Sequence, residues 1–185
     1  MGKRLFVSVD LDDLGEAVDT VQGRLKGASG LDFVDPHQAH VTLKFLGDTD
    51  PDRLPALTDE LAAAVEDSGV EPFQAEFGGL GAFPSTDYIR VVWLGVREGS
   101  ERLSRLHEAI EDRTVAMGFD EAEHDFMPHV TLARMNHAGG KERVQEVLRE
   151  DGPTVGTLDV EAVRLTESVL TDDGPEYSTV EAFEL

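Results

Sequence analysis

The sequence has no cysteine, which excludes disulfides, thiol nucleophiles and Cys-ligated zinc. Basic residues are scarce: 16 Lys and Arg stand against 38 Asp and Glu, a formal charge of −22. Aromatic residues make up 6% of the 185 positions, with a single Trp. No apolar run approaches the roughly 20 residues that span a bilayer, so no membrane association is expected. Met1 to Asp10 carries two basic residues and a short alternating apolar run, the pattern of a first strand rather than a signal peptide. The cytoplasm is the expected location. There is no Gly-x-x-x-x-Gly-Lys phosphate loop and no Gly-x-Ser-x-Gly turn. Nucleoside triphosphate hydrolysis and serine-hydrolase chemistry therefore lack their usual machinery.

A surface this acidic repels nucleic acid at low ionic strength. The acids are spread over turns and polar faces, as in Asp10-Asp12-Asp13, Asp48-Asp50-Asp52 and Asp172-Asp173. That distribution fits a halophilic protein in a salty cytoplasm, where molar salt shortens screening to about 3 Å. Two windows break the pattern. Pro36 to Gly47 contains Lys44 and no acid, and Phe126 to Asn136 contains Arg134 and no acid. An anion is tolerated there.

Both windows contain the tetrapeptide HVTL, at His40-Val41-Thr42-Leu43 and His129-Val130-Thr131-Leu132. Val and Leu are what a buried strand needs, but His and Thr are not. In a strand, side chains i and i+2 share a face. Each copy thus sets an imidazole beside a hydroxyl on one face and sends Val and Leu to the other. Two such pairs suggest one site built from two half-sites.

Around them, strands and helices interleave without a linker. Leu5 to Val9 reads as a strand. Asp12-Asp13 is positioned to cap a helix with Leu14, Ala17, Val18, Val21 and Leu25 on one face, ended by Gly27 to Gly30. After the first HVTL strand, Asp50-Pro51 opens a helix carrying Leu54, Leu57, Leu61, Ala64 and Val65. Phe73 to Leu80 is expected as a strand, Gly78 to Pro84 as a glycine-rich connection, and Arg90 to Gly95 as a strand holding Trp93. Ser100-Glu101 starts a helix with Leu103, Leu106 and Ile110. A further helix surrounds Val144, Val147 and Leu148 beyond Gly139-Gly140. Leu158 to Leu170 and Tyr177 to Leu185 read as closing strands joined across Asp172 to Pro175. The expectation is one α+β unit over residues 1–185, made of two similar lobes with a pseudo-twofold repeat.

Histidine, with an ordinary pKa of about 6.5, serves as base or acid near neutrality. Two across a cleft divide those roles, and each neighbouring Thr hydroxyl donates a hydrogen bond to an anionic oxygen. This suits in-line displacement at phosphorus, with charge building on oxygens that the Thr pair holds. A lone His in an apolar strand is more often a packed residue; two HxT pairs in matching contexts reverse that balance. No His-x-His or His-Glu-x-x-His spacing occurs, and Thr is a poor ligand, so neither a metal nor another cofactor is expected. His37, His107, His124 and His137 read as structural or surface residues.

On these residues the chain resembles the two-histidine phosphoesterases, and within them the RNA 2′,3′-cyclic phosphodiesterases, also called 2′-5′ RNA ligases. The resembling stretches are Arg4-Leu5-Phe6-Val7, His40 to Gly47, Gly81-Ala82-Phe83-Pro84 with Trp93-Leu94-Gly95, Pro128 to Arg134, and Leu165 through Glu167-Ser168 to Tyr177. The resemblance implies a bilobal fold with two antiparallel sheets lining a central groove and helices outside. It implies that His40, Thr42, His129 and Thr131 face one another there. The implied reaction is hydrolysis of an RNA terminal 2′,3′-cyclic phosphate to the 2′-phosphate, with ATP-independent 2′-5′ ligation as a side activity. His40 becomes the proton donor, His129 the acceptor, and Arg134 an added phosphate contact.

Arg134 lies on the wrong strand face by simple alternation, so a bend has to bring it round. Lys44 lies on the His40 face of a regular strand and is a second candidate phosphate contact. Phe45 falls opposite and reads as core; Phe83 is the candidate for stacking on the terminal base. The alternatives are a two-histidine enzyme acting on a small cyclic nucleotide, such as an ADP-ribose cyclic phosphate, or on a 2′-5′ oligonucleotide, and a non-catalytic RNA-end binder. A monomer without an obligate protein partner is expected, since the site is completed within one chain.

Overall fold

Alternation along Lys3–Asp10 (β1) buries Leu5, Val7 and Val9 on one face and turns Arg4, Phe6, Ser8 and Asp10 to the other. The computed structural model describes residues 2–150, 152 and 154–185. After β1 come helix α1 (Gly15–Gly23), strands β2 (Leu31–Phe33) and β3 (His40–Thr49), and helix α2 (Leu54–Ser68). Strands β4 (Phe73–Pro84) and β5 (Ile89–Glu98), helix α3 (Ser100–Ala116) and strand β6 (His129–Met135) form the middle. Helix α4 (Lys141–Arg149) and strands β7 (Thr154–Val160), β8 (Ala162–Thr171) and β9 (Gly174–Glu184) complete the chain.

All pairings are antiparallel, in the order β7-β4-β5-β6-β3-β1-β8-β9, with β2 beside β6. The two halves, β3-β1-β8-β9 and β6-β5-β4-β7, meet where Val41 of β3 pairs with Val130 of β6. The two expected sheets are therefore one sheet pinched at a residue pair. Strand β4 follows α2 yet joins the β6 half, and β8 follows α4 and β7 yet joins the β3 half. The halves are thus interlocked by exchanged strands. The helices cover the face that carries the valines and leucines. Among the described residues no helix is long and apolar enough to cross a membrane.

Helix α2 shows how local sequence sets an element. Asp50 accepts the Asp52 N–H and Pro51 opens a 3-10 turn, while Gly69, at φ +67°, ends the helix in the left-handed region. Leu57, Leu61, Ala64 and Val65 recur on one face and are buried. Full burial of one such leucine contributes about 2 kcal/mol. Elsewhere the sequence expectation shifts. Asp12 and Asp13 lie in a 3-10 turn, α1 begins at Gly15, and Asp12 is spent on Arg164. Gly78 to Pro84 is not a connection but the second part of β4, and Leu158 to Leu170 is two strands broken at Glu161. β2 has too few residues to show a period.

The HVTL strands are not regular. Val7 pairs with Lys44 and Ser8 with Thr42, leaving Leu43 as an extra residue. Likewise Val92 pairs with Ala133 and Trp93 with Thr131, leaving Leu132. A bulge frees a backbone carbonyl and reverses the alternation beyond it. Each of these carbonyls is caught by a buried side chain from the helix packed against that strand. His107 of α3 bonds Leu43 O through Nδ1 at 2.7 Å. Gln22 of α1 donates Nε2–H to Leu132 O at 3.1 Å and to Val34 O at 2.8 Å. His107, which gave no functional signal in sequence, thus holds one half of the site in shape. Replacing Gln22 by Leu takes the side-chain donor from Val34 O and from Leu132 O, the second of which keeps the Val34 N–H, and should lower stability by about 1–3 kcal/mol; equal urea midpoints for the two proteins would contradict this.

Candidate active site

Burial of both Val41 and Val130 turns His40, Thr42, His129 and Thr131 onto the opposite, groove-lining face. The antiparallel register about that pair sets His40 across from Thr131 and Thr42 across from His129. The two histidines are then diagonal neighbours, with Cβ atoms somewhat less than about 7–8 Å apart. That spacing admits one phosphorus with an oxygen on each side.

Each imidazole is fixed the same way. His40 Nδ1 lies 2.9 Å from Gln38 O, and His129 Nδ1 lies 2.7 Å from Met127 O. A carbonyl only accepts, so Nδ1 carries the proton and Nε2 presents its lone pair to the groove. Two aromatic rings hold each imidazole. Phe6 stacks on His40 at 4.9 Å and Tyr177 meets it edge-on at 5.2 Å. Phe83 meets His129 edge-on at 4.9 Å, with Trp93 at 6.3 Å. Gly81 makes room for this wall: a Cβ there would lie 2.1 Å from the Trp93 ring. Gln38 does double duty, since its side chain also accepts the Tyr177 N–H at 2.9 Å and donates to Pro175 O at 3.1 Å. It ties β9 to the strand that carries His40.

Burial pushes the pKa of both histidines below the ordinary imidazole value. The charges around them differ. Asp10 favours the protonated form of His40, opposed by His129, whereas Arg134 disfavours protonation of His129. Burial raises the Tyr177 phenol, against the pull of Arg134 and Arg4. Arg134, though on β6, therefore acts on groups of both halves.

The bulges decide what flanks the histidines. Beyond Leu132 the face is exchanged, so Ala133 is buried and Arg134 emerges beside His129. The bend that Arg134 needs is this bulge. Beyond Leu43 the same exchange moves Lys44 away from His40. Lys44 is 4% exposed, paired with Glu111 of α3 and bonded to Asp120 O. Its expected place on the His40 face is therefore wrong, because the strand is not regular. Phe45, expected in the core, is instead 73% exposed on the groove side. Phe83 is half-buried against Trp93 and His129, so it is already committed as a wall of the second half-site.

Several contributors escaped the sequence reading: Asp10, Phe6, Phe45, Gln38, Tyr177, Gln22 and His107. One signal was available for the bulges. Val41 and Leu43 keep a two-residue period that Leu46 breaks, and Ala133 directly follows Leu132. Among the described residues no group of three metal-binding side chains lies close together.

Two histidines, each followed by x-Thr on facing strands of an interlocked two-lobed sheet, define the class of two-histidine phosphoesterases. The chain belongs to the 2′-5′ RNA ligase superfamily, whose family model matches residues 11–171. The RNA 2′,3′-cyclic phosphodiesterase of Methanothermobacter thermautotrophicus is 38% identical to it over 100% of both chains. That of Archaeoglobus fulgidus is 35% identical over 98% of this chain and 99% of the relative. A Thermus thermophilus crystal structure superimposes with a TM-score of 0.78 at 31% identity, covering 98% and 97% of the two chains. E. coli LigT complexed with 3′-AMP shares the fold, with a TM-score of 0.80 at 22% identity and coverage of 100% and 99%.

The reassignment of Lys44 is testable. Lys44→Met leaves the half-buried Glu111 without this cation and should cost about 1–3 kcal/mol of stability, while KM for a phosphoester substrate stays unchanged. A raised KM at unchanged thermal midpoint would return Lys44 to the substrate.

Proposed function

We propose that the protein hydrolyses the terminal 2′,3′-cyclic phosphate of RNA to a 2′-phosphate and a free 3′-hydroxyl. The observation that carries this reading is the opposed pair of Nε2 atoms, each on an imidazole locked at Nδ1 by a main-chain carbonyl. Phosphodiesterase relatives at 35–38% identity over nearly the whole chain support the substrate class.

In this reading a water molecule enters from the His129 side. His129 Nε2 takes its proton as the oxygen attacks phosphorus, and the bond from phosphorus to the 3′-oxygen breaks on the far side. His40 Nε2 gives its proton to that leaving oxygen. The histidines end in exchanged protonation states and reset by proton transfer with solvent. Thr42 and Thr131 donate to the non-bridging oxygens, and Arg134 adds a charged donor there. Both proton transfers are supplied by imidazoles, so the steps written here need no metal.

The leaving 3′-oxygen belongs to the terminal ribose, which therefore sits on the His40 side. There Phe45 offers an open aromatic face, and it takes over the base-stacking role that the sequence suggested for Phe83. ATP-independent 2′-5′ ligation is the same displacement with an RNA 5′-hydroxyl in place of water, the 3′-oxygen again leaving, and we include it as a side activity. We also read residues 1–185 as one unit with a pseudo-twofold repeat that acts as a monomer without an obligate partner. Its charge of −22 opposes contact with long stretches of RNA backbone, so recognition is confined to the RNA end and tolerates high salt.

The test is incubation with RNA ending in 2′,3′-cyclic phosphate and identification of the product. A 2′-phosphate is expected. His40→Ala and His129→Ala should each lower kcat at least 100-fold, with the far-ultraviolet circular dichroism unchanged. Full activity in either variant, or a 3′-phosphate product, would overturn the mechanism.

A further inference from the structure

The two half-sites correspond residue by residue, and the correspondence fails at charged positions. On β1, Ser8 lies across from Thr42 and Asp10 across from His40. On β5, Trp93 lies across from Thr131 and Gly95 across from His129. The place that Asp10 holds beside His40 is thus held by a glycine beside His129. The strand position that is Phe45 in one half is Arg134 in the other. One imidazole has a carboxylate for a neighbour and no cation on its face of the strand, since Lys44 is turned into the interior; the other has a cation and no carboxylate.

Asp10 is not a free surface acid. Ser8, fully buried, donates its hydroxyl to one carboxylate oxygen at 2.7 Å and lies 3.0 Å from the Thr166 hydroxyl. Arg164 of β8 donates to the other oxygen at 2.8 Å and reaches Asp12 with its second nitrogen, also at 2.8 Å. Asp10 and Arg164 line a pocket of about 190 Å³ that opens beside His40, together with Thr166, Tyr177 and Thr179. The clamp sits at the end of β1, where pairing with β8 has stopped at Ser8 and pairing with β3 runs on to Asp10 and His40. The clamp holds one negative charge at a set position next to one of two otherwise matched imidazoles.

We propose that Asp10, held by Ser8 and Arg164, is the positioning residue that breaks the equivalence of the two half-sites and makes His40 the proton donor. This deepens the phosphodiesterase reading and rests on it for the meaning of "donor", but the charge asymmetry exists without substrate. Asp10 touches neither phosphate nor ribose; it acts through His40. When an anionic phosphate enters, it favours protonation of both imidazoles. Asp10 directs the proton to His40, while Arg134 keeps His129 neutral and ready to accept from water.

The other groups facing His40 do not cancel this. Arg164 is shared between Asp10 and Asp12, Arg4 lies toward Tyr177, and His37 lies at the pocket rim. From β6, His129 opposes protonation of His40 across the groove.

The test is a nuclear magnetic resonance titration of the imidazoles in the free protein, beside a pH profile of kcat/KM on RNA ending in 2′,3′-cyclic phosphate. In the unmodified protein His40 is expected to titrate above His129. Asp10→Asn should lower the His40 value by about one unit and leave His129 unmoved. The alkaline limb of the profile, which reports loss of the donor proton, should shift to lower pH by the same amount. Asp10→Glu should restore much of the limb. A His40 value below that of His129 in the unmodified protein would overturn the proposal even if no variant folds. So would an Asp10→Asn variant that loses activity equally at every pH with both titrations unchanged. If the unmodified protein is inactive on this RNA, the phosphodiesterase reading fails, and the titrations still decide the role of Asp10.

Discussion

The pairing of Val41 with Val130 is a small contact on which the site depends. Both valines are fully buried, and a strand that buries one residue must turn its neighbours the other way. That alone aims two imidazoles and two hydroxyls into one groove. The same pair is where the two halves of the sheet join, so hydrophobic burial sets the distance between the two imidazoles. A slip of one residue would send all four functional side chains into the core. The exchange of β4 and β8 between the halves guards against that slip, since each half is built partly from chain that follows the other's helices.

The second constraint is the pair of bulges. A regular strand would put Lys44 in the groove and Phe45 in the core, and would bury Arg134 where Ala133 now packs. One extra residue directly after the Thr of each strand, Leu43 and Leu132, exchanges these positions. The exchange is maintained because His107 and Gln22 satisfy the carbonyls that the bulges free. Lys44 is then held by Glu111 and by the main chain at Asp120, on the chain leading to His129. The helix-side network thus connects the strand of one histidine to the segment before the other. On the groove side, the result is one cation and one exposed aromatic ring flanking the two histidines, in a protein that is otherwise strongly acidic.

Much of this was legible in sequence where a rule of period applied. The HVTL repeat marked the four central residues because alternation assigns their faces, and the helical faces of α2 and α3 followed from leucine spacing. The acid-free windows around His40 and His129 contain the two strands that the structure brings side by side. What failed were consequences of broken periods. Lys44 and Phe45 were exchanged because a bulge is a long-range backbone event, stabilised by a His and a Gln distant in sequence. Asp10 resembled its neighbours Asp12 and Asp13, and only pairing of β1 with β3 shows that it stands beside His40. The roles of Gln38 and Tyr177 were hidden for the same reason: their contact is made between chain segments far apart in sequence.

The central claim is that one phosphorus is held between the two Nε2 atoms in line with attack. A crystal structure with a nucleoside vanadate, a five-coordinate mimic of the displacement, tests it most directly. The account predicts that His129 Nε2 and His40 Nε2 each lie within hydrogen-bond distance of opposite axial oxygens, with the ribose oxygen on the His40 side. Thr42, Thr131 and Arg134 should surround the equatorial oxygens, and the base should lie on Phe45. Vanadate bound to one histidine alone, or with the ribose oxygen on the His129 side, would contradict it.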